Sequence, residues 1–102
     1  MHRCAVGQAD LLEQLPAYLE EWEWPGTLDE FISTWFSIEN APIQPVLDFV
    51  ADLRDADIRC HIASTQERHR AEYLRTVMGL AARFDSTFFS CDVGAAKPDL
   101  AY

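Results

Sequence analysis

The spacing of apolar residues changes near the middle of the chain. In the first part, apolar residues recur at the three- and four-residue spacing of a helix face, and each run follows a helix-start signal. Asp10 with Glu13, and Thr27 with Glu30, have the spacing of capping boxes. The pattern therefore predicts one helix after Asp10 and a second after Thr27. The apolar positions are Leu11, Leu12, Leu15, Leu19 and Trp22 in the first helix, and Phe31, Trp35 and Ile38 in the second.

Two proline features divide this part of the chain. Pro16 falls inside the first helical pattern, and because proline lacks an N–H and its ring clashes with the preceding turn, we expect a kink or two short helices there. The prolyl connection "NAPIQP" separates a helical segment, residues 1–42, from a second part, residues 43–102.

The second part alternates helical and strand-like patterns. A helix is predicted from about Pro45 to Ala56, followed by a strand in "IRCHIAST", a helix in "QERHRAEYLRTVMGL" that stops at Gly79, a short link "AARFD", and a strand in "STFFSCDV". Helices that connect successive strands are typical of an α/β domain with a parallel sheet. The apolar face of the first of these helices is predicted to contain Val46, Phe49, Val50 and Leu53.

Composition and charge restrict the function classes. Apolar residues make up 49% and charged residues 25%, which is typical of a globular protein. The formal net charge of −9 disfavours nucleic acid and an anionic membrane as partners. Because no apolar run has the length of a membrane span or of a signal peptide, we expect a cytoplasmic protein. The three cysteines have no CxxC spacing, so we expect no disulfide framework or zinc site, and we expect Cys60 and Cys91 to be buried free thiols.

Three polar residues fall where an α/β sheet binds ligands. Ser64 and Thr65 end the first predicted strand just before a helix, a position that suits a phosphate group. The alternative is that one of them only caps the helix. Lys97 follows the second strand in "GAAKP", where Gly94 permits a tight turn and Pro98 suits the first position of a helix. Lys97 is then expected at the same sheet edge as Ser64, and the alternative is a solvated surface lysine.

Aromatic and histidine residues give weaker signals. The aromatic residues of the helical segment either pack, as their helical spacing favours, or line a substrate entrance. His61 is predicted to lie in the sheet and His69 on a helix surface, and neither has partners at metal-ligand spacing. The aromatic residues in question are Trp22, Trp24, Trp35 and Phe36.

The second part resembles hydrolases of the haloacid dehalogenase superfamily, in the subgroup with a small helical cap. The second motif of that family, a Ser or Thr that ends an apolar strand, is matched by Ser64, with Thr65 where Asn is common. Its third motif, a lysine in a "GxxKPD" context, is matched by Lys97. The stretch "GTLDEFISTWFSIE" is similar to the cap helices of the same subgroup. Further matching residues are Arg70, Gly79, Leu80, Phe84, Asp85, Gly94, Pro98 and Asp99.

The resemblance implies a partial Rossmann-like core over residues 43–102, preceded by a helical cap segment over residues 1–42. Members of the family form an aspartyl intermediate on a DxD motif, and most branches need Mg²⁺ to neutralise a phosphoryl substrate. By resemblance, the Ser64 hydroxyl donates to a phosphoryl oxygen, Lys97 offsets the charge of nucleophile and transition state, and Thr65 contacts the substrate. The implied substrate of a complete site is a small phosphorylated molecule, with phosphatase, dehalogenase and phosphonatase chemistry all open.

Two of the four family motifs have no counterpart in this sequence. The only DxD is Asp55 to Asp57, which we expect to be a solvated helix end that faces away from Ser64. The acidic pair of the fourth motif would follow the helix after the lysine, and the chain ends at Tyr102. We therefore expect a hydrolase of this type, or a fragment of one, that is inactive alone and does not bind Mg²⁺ unaided. We also expect self-association or completion by another polypeptide segment. The alternative is a non-catalytic interaction or regulatory remnant of the fold.

Overall fold

The fold is seen in a computed structural model that describes residues 2–97 and residue 100. Within these residues the chain forms seven helices and one two-stranded parallel sheet, which confirms the α/β character. No helix in the described part of the chain has the length and apolar character needed to cross a membrane. In chain order the elements are α1 (His2–Ala5), α2 (Leu11–Glu21), α3 (Leu28–Ile38), α4 (Gln44–Asp55), β1 (His61–Ser64), α5 (Arg68–Arg75), α6 (Leu80–Arg83), β2 (Ser86–Phe89) and α7 (Ser90–Val93).

Both predicted caps of the helical segment are confirmed. Asp10 accepts a hydrogen bond from the Leu12 N–H at 2.9 Å at the start of α2. The Thr27 hydroxyl accepts one from the Glu30 N–H at 3.1 Å at the start of α3. The two helices then pack on each other through their apolar faces. The residues of this packing include Leu11, Leu15, Leu28, Phe31, Ile32 and Trp35.

Of the two outcomes predicted at Pro16, two short helices is wrong, because α2 is one continuous helix through this residue. Proline removes one backbone hydrogen bond, to the Leu12 carbonyl, but its ring points to solvent. Leu15 and Leu19, on either side of the proline, are buried. Their burial on one face of α2 supplies enough stabilisation to keep the helix intact.

The parallel sheet forms within the two predicted strand patterns, but the second strand ends at Phe89, and the rest of "STFFSCDV" forms helix α7. His61 pairs with Ser86 and Ser64 with Phe89 in an unbroken register. Helix α5 covers one face of the sheet, where Ala71 packs against Phe89 and both are fully buried.

Two helix predictions need correction. The apolar face predicted for α4 is largely uncovered: Val50 is buried, but Val46 is 51% and Phe49 61% exposed. Helix α5 ends at Arg75, not at Gly79. Gly79, with a φ of +69°, instead begins α6 in the stretch expected to be a link.

Arg70 connects the helical segment to α5. Its side chain is 10% exposed, and its guanidinium donates to the carbonyls of Phe36 and Glu39, both at 3.3 Å. It also lies 5.2 Å from the ring centroid of Phe36 and 5.1 Å from that of Tyr73. Since these carbonyls end α3, the cation of one segment caps the helix of the other.

The N-terminal residues pack on α7. The Ala5 carbonyl accepts a hydrogen bond from Ser90, and Gly7 has a φ of +79°. A Cβ at Gly7 would collide with the backbone carbonyl oxygen of Cys91. Glycine is therefore required at this position by both its φ and its surroundings.

Candidate functional site

Ser64 lies at the carboxyl end of β1, as its position in the strand pattern predicts. Its side chain is half-buried, and its hydroxyl oxygen accepts a hydrogen bond from the Gln66 amide nitrogen at 3.0 Å. Thr65 follows it and is exposed. The two hydroxyls therefore lie where the strand gives way to the loop before α5.

Lys97 reaches the same edge of the sheet. Its ammonium group donates to the carbonyl oxygen of Ala63 at 3.0 Å, which brings it next to Ser64 from 33 positions further along the chain. The Asp85 N–H bonds the Cys60 carbonyl, so that carbonyl faces β2. Backbone groups alternate in direction along a strand, and the Ala63 carbonyl therefore points away from β2. Lys97 accordingly lies on the outer side of β1.

The turn that carries Lys97 is formed by Gly94. This residue has a φ of +84°, and its N–H donates to the Ser90 carbonyl at 2.8 Å, which ends α7. The chain then returns to the sheet within three residues. The helix predicted to begin at Pro98, and the motif position Asp99, lie outside the described residues.

Glu67 occupies the N-terminus of α5. Its carboxylate accepts hydrogen bonds from the N–H groups of His69, at 2.9 Å, and of Arg70. The alternative prediction, that Ser64 or Thr65 caps this helix, is therefore wrong. The N–H groups expected to face a phosphate group already bind a carboxylate, so the helix dipole is satisfied from within the chain.

Ser90 is a buried residue of this edge that sequence reasoning missed. It has no solvent exposure, its hydroxyl accepts from the Gln66 N–H at 2.9 Å, and it donates to the Ala5 carbonyl at 2.5 Å. One hydroxyl thus fixes the loop after β1, the start of α7 and the end of α1. Its place in the sequence, a serine directly after an apolar strand, is the same signal that singled out Ser64.

A small cavity of about 230 Å³ opens beside these residues, between the helical segment and the loop after β1. Its walls include Leu11 and Trp35 from the helical segment, and Thr65 from the strand end. Glu39, Glu67 and the buried Arg70 also line it. The lining therefore combines apolar residues with charges of both signs.

A second polar junction joins α2 to α5. Asp10 accepts hydrogen bonds from the His69 Nε2, at 2.7 Å, and from the Arg68 guanidinium, at 2.6 Å. The hydrogen bond from His69, with that from the Leu12 N–H, holds the pKa of Asp10 below its usual value. His69 lies on the helix surface as predicted, with a carboxylate partner from the other segment.

The amino edge of the sheet is organised around Asp85. Its carboxylate accepts from the Cys60 N–H at 2.6 Å and pairs with Arg54 at 3.5 Å, and the hydrogen bond from Cys60 lowers the pKa of Asp85. Asp55 and Asp57 line a cleft at this edge and are exposed. Since Ser64 is at the opposite end of β1, the DxD letters face away from it, as expected.

The remaining predicted residues are placed as follows. Phe36 is buried and Trp35 half-buried, as packing predicts, but Trp22 is 56% exposed. Cys60 and Cys91 are free thiols that are half-buried rather than buried. Burial, with the neighbouring Asp92 carboxylate, raises the pKa of the Cys91 thiol.

Metal ligands do not converge at the carboxyl edge. Among residues 2–97 and 100, no three His, Cys, Asp or Glu side chains come close enough together to hold a metal ion. The hydroxyl of Ser64 and the ammonium of Lys97 are not a magnesium ligand set, which requires carboxylate oxygens. The described residues of this edge therefore do not fit Mg²⁺.

Comparisons with known protein families, curated protein sequences and solved structures find no match to this chain. The resemblance to haloacid dehalogenase-type hydrolases therefore rests on the quoted motifs, and the family stays a prediction.

Proposed function

We propose that this chain supplies the phosphoryl-holding part of a haloacid dehalogenase-type hydrolase site, on a partial Rossmann-like core. Ser64 and Lys97 are its two working groups, and the chain alone does not hydrolyse phosphate esters. The observation that carries the proposal is the 3.0 Å contact of the Lys97 ammonium with the Ala63 carbonyl. It brings the cation to the backbone immediately before Ser64, and a lysine paired with a strand-end hydroxyl is what the motif resemblance predicts.

The chemistry of the two groups is complementary. A phosphoryl group at this edge would accept a hydrogen bond from the Ser64 hydroxyl and would be neutralised by the Lys97 ammonium. A complete site of this type needs an aspartate nucleophile, and Mg²⁺ would neutralise its phosphoryl substrate. Ser64 and Lys97 provide neither function, so the proposed role of the chain is to bind and orient the phosphoryl group.

Glu67 sets the expected strength of this binding. Its carboxylate lies at the N-terminus of α5, where an oxyanion would otherwise receive backbone N–H groups. An anion must therefore rely on Ser64, Thr65 and Lys97, against the repulsion of a nearby negative charge. We expect weak binding that decreases with salt.

A titration of the chain with inorganic phosphate tests this proposal. The amide resonances of residues 63–66 and 94–97 should shift in ¹⁵N-correlated NMR spectra, and Lys97→Ala should abolish those shifts. Arg83→Ala is the matched control, because it removes one exposed cation at the opposite edge of the sheet. Equal loss in both variants, or shifts confined to the amino edge, would refute phosphate binding at Ser64.

Turnover is measured separately. With p-nitrophenyl phosphate and Mg²⁺, the chain should release no more product than buffer does. Release that Lys97→Ala abolishes would contradict the proposed inactivity and leave the phosphate site standing.

A second candidate function, a non-catalytic module that associates with another polypeptide, is favoured by uncovered apolar surface. Among the described residues β1 pairs with β2 alone, and no other strand lies along its outer edge, where Lys97 bonds the Ala63 carbonyl. Phe49 and Val46 on α4 are more than half exposed. Self-association over this surface predicts that Phe49→Ser lowers the sedimentation coefficient at micromolar concentration. A wild-type chain that sediments as a compact monomer at all concentrations would exclude it.

A further inference from the structure

An exposed aromatic face surrounds the turn between α2 and α3. The ring centroids of Tyr18 and Trp22 are 5.6 Å apart, those of Trp22 and Phe31 6.3 Å, and those of Trp24 and Phe31 5.3 Å. Trp22 is 56% and Tyr18 38% exposed. These four rings form one continuous surface, here called the aromatic face, whose outer part lies in solvent.

A groove continues the aromatic face past Trp24. It has a volume of about 530 Å³, and its lining includes Trp24, Asp29 and Glu30. The Trp24 indole N–H donates to the Thr27 carbonyl at 3.1 Å, which fixes the ring over the turn. The groove therefore combines an aromatic ring, held in place, with two acidic residues.

The charge of the protein is concentrated on this side of the chain. Residues 1–42, the helical segment, contain eight Asp and Glu and a single basic residue, Arg3, a net charge of −7. Residues 43–102 contain nine acidic and seven basic residues, a net charge of −2. Most of the net charge of the protein thus arises from the segment that forms the aromatic face.

Three acidic residues are neighbours of Trp22 in the sequence. Glu20, Glu21 and Glu23 are all exposed. Carboxylates at a helix C-terminus oppose the helix dipole, and Glu23 also has a φ of +55°, a conformation that favours glycine. Neither feature stabilises the fold.

We propose that the aromatic face binds an arginine-rich segment of a partner protein. A guanidinium group stacks on an aromatic ring and bonds a carboxylate in the same plane, and this face offers both groups side by side. Charge complementarity selects a basic partner, because the acidic segment of a second copy, a nucleic acid or an anionic membrane would be repelled at this face. The aromatic face shares no residue with the sheet edge of Ser64 and Lys97, so either proposal can fail without affecting the other.

Fluorescence anisotropy with a labelled peptide of alternating arginine and glycine tests this binding. The peptide should bind, with an affinity that falls as salt rises. A lysine–glycine peptide of the same length should bind several-fold more weakly, because its ammonium groups stack poorly on aromatic rings. A glutamate–glycine peptide should not bind. Equal affinity for the arginine and lysine peptides would overturn the proposal.

Matched variants locate the binding surface. Trp22→Ala should weaken binding of the arginine peptide about two- to fivefold. The combined change Glu20→Gln, Glu21→Gln and Glu23→Gln should weaken it about tenfold. A control with the same change in net charge outside the face should have less than a twofold effect, and an equal effect would overturn the proposal. The control combines Asp55→Asn, Asp57→Asn and Glu72→Gln, all exposed residues of the second half.

NMR of the wild-type chain tests the binding site without any variant, so the result does not depend on whether a variant folds. Addition of the arginine peptide should shift the amide and indole resonances of residues 18–34. Shifts centred on β1 or on the loop of Lys97 would place the binding elsewhere and overturn the proposal.

Discussion

Replacement of Arg70 by alanine tests how the helical segment is attached to the α/β part. The guanidinium makes two hydrogen bonds to carbonyls, at 3.3 Å each, and stacks on the rings of Phe36 and Tyr73. At this length each hydrogen bond contributes about 1 kcal/mol, and each ring contact about 0.5 kcal/mol. The free energy of unfolding should therefore fall by about 3 kcal/mol.

Two further variants separate charge from geometry. Arg70→Lys keeps the charge but not the planar fork, so about half of the loss should remain, roughly 1.5 kcal/mol. Arg83→Ala, an exposed arginine, should change stability by less than about 0.5 kcal/mol.

Urea denaturation followed by tryptophan emission measures the loss at Arg70. All three tryptophans lie within residues 22–35, so their emission reports on the helical segment, and far-UV circular dichroism reports on the whole chain. In the Arg70→Ala variant the emission transition should precede the dichroism transition. A destabilisation below about 1 kcal/mol, or coincident transitions with an unchanged midpoint, would refute the assignment of Arg70 as the connection between the two parts.

Three other substitutions have defined outcomes. Gly7→Ala should lower the free energy of unfolding by about 2 to 4 kcal/mol, because its positive φ and the Cys91 carbonyl both exclude a side chain; an unchanged urea midpoint would contradict this. Glu23→Gly should raise the free energy of unfolding by about 1 kcal/mol, since glycine adopts a φ of +55° without strain; a lower melting temperature would count against it. Asp10 has a lowered pKa in the folded state, chiefly through His69, so its stabilisation is present above pH 3.8 and disappears as acid protonates the carboxylate. Between pH 5 and pH 2, the free energy of unfolding should therefore fall less for Asp10→Asn than for the wild-type chain. Parallel pH profiles of the two would show that Asp10 does not cause the acid sensitivity.

The parts of the fold that the sequence predicts are those with local causes. A capping side chain lies two or three residues from the N–H it binds, so the sequence alone predicts Asp10 and Thr27 as helix N-caps. The strands of the sheet are short apolar runs between helical patterns, and parallel pairing follows from the helix that separates them. The sequence around Pro16 does not show that α2 stays in one piece, because that depends on how firmly the helix is held by neighbours distant in sequence. The exposed face of α4 has the same cause, since amphipathic spacing predicts a helix but not what covers it.

In the candidate site, too, the features with local causes could be predicted and the one with a less local cause could not. Ser64 and Lys97 could be predicted because each carries a local signature, a strand end or a glycine turn, and because parallel strands deliver their ends to one edge. Which residue binds the free N–H groups at the start of α5 could not be predicted. Several polar residues in "STQE" could cap the helix, and the geometry of the loop selects Glu67. The Glu67 carboxylate changes the electrostatics of the site. Without it, the helix dipole would be open to an anion; with it, an anion meets one cation and two hydroxyls beside a negative charge. Glu67→Gln, which keeps a cap and removes the charge, should therefore tighten phosphate binding in the same NMR titration, whereas a site that uses the helix dipole directly would show no gain.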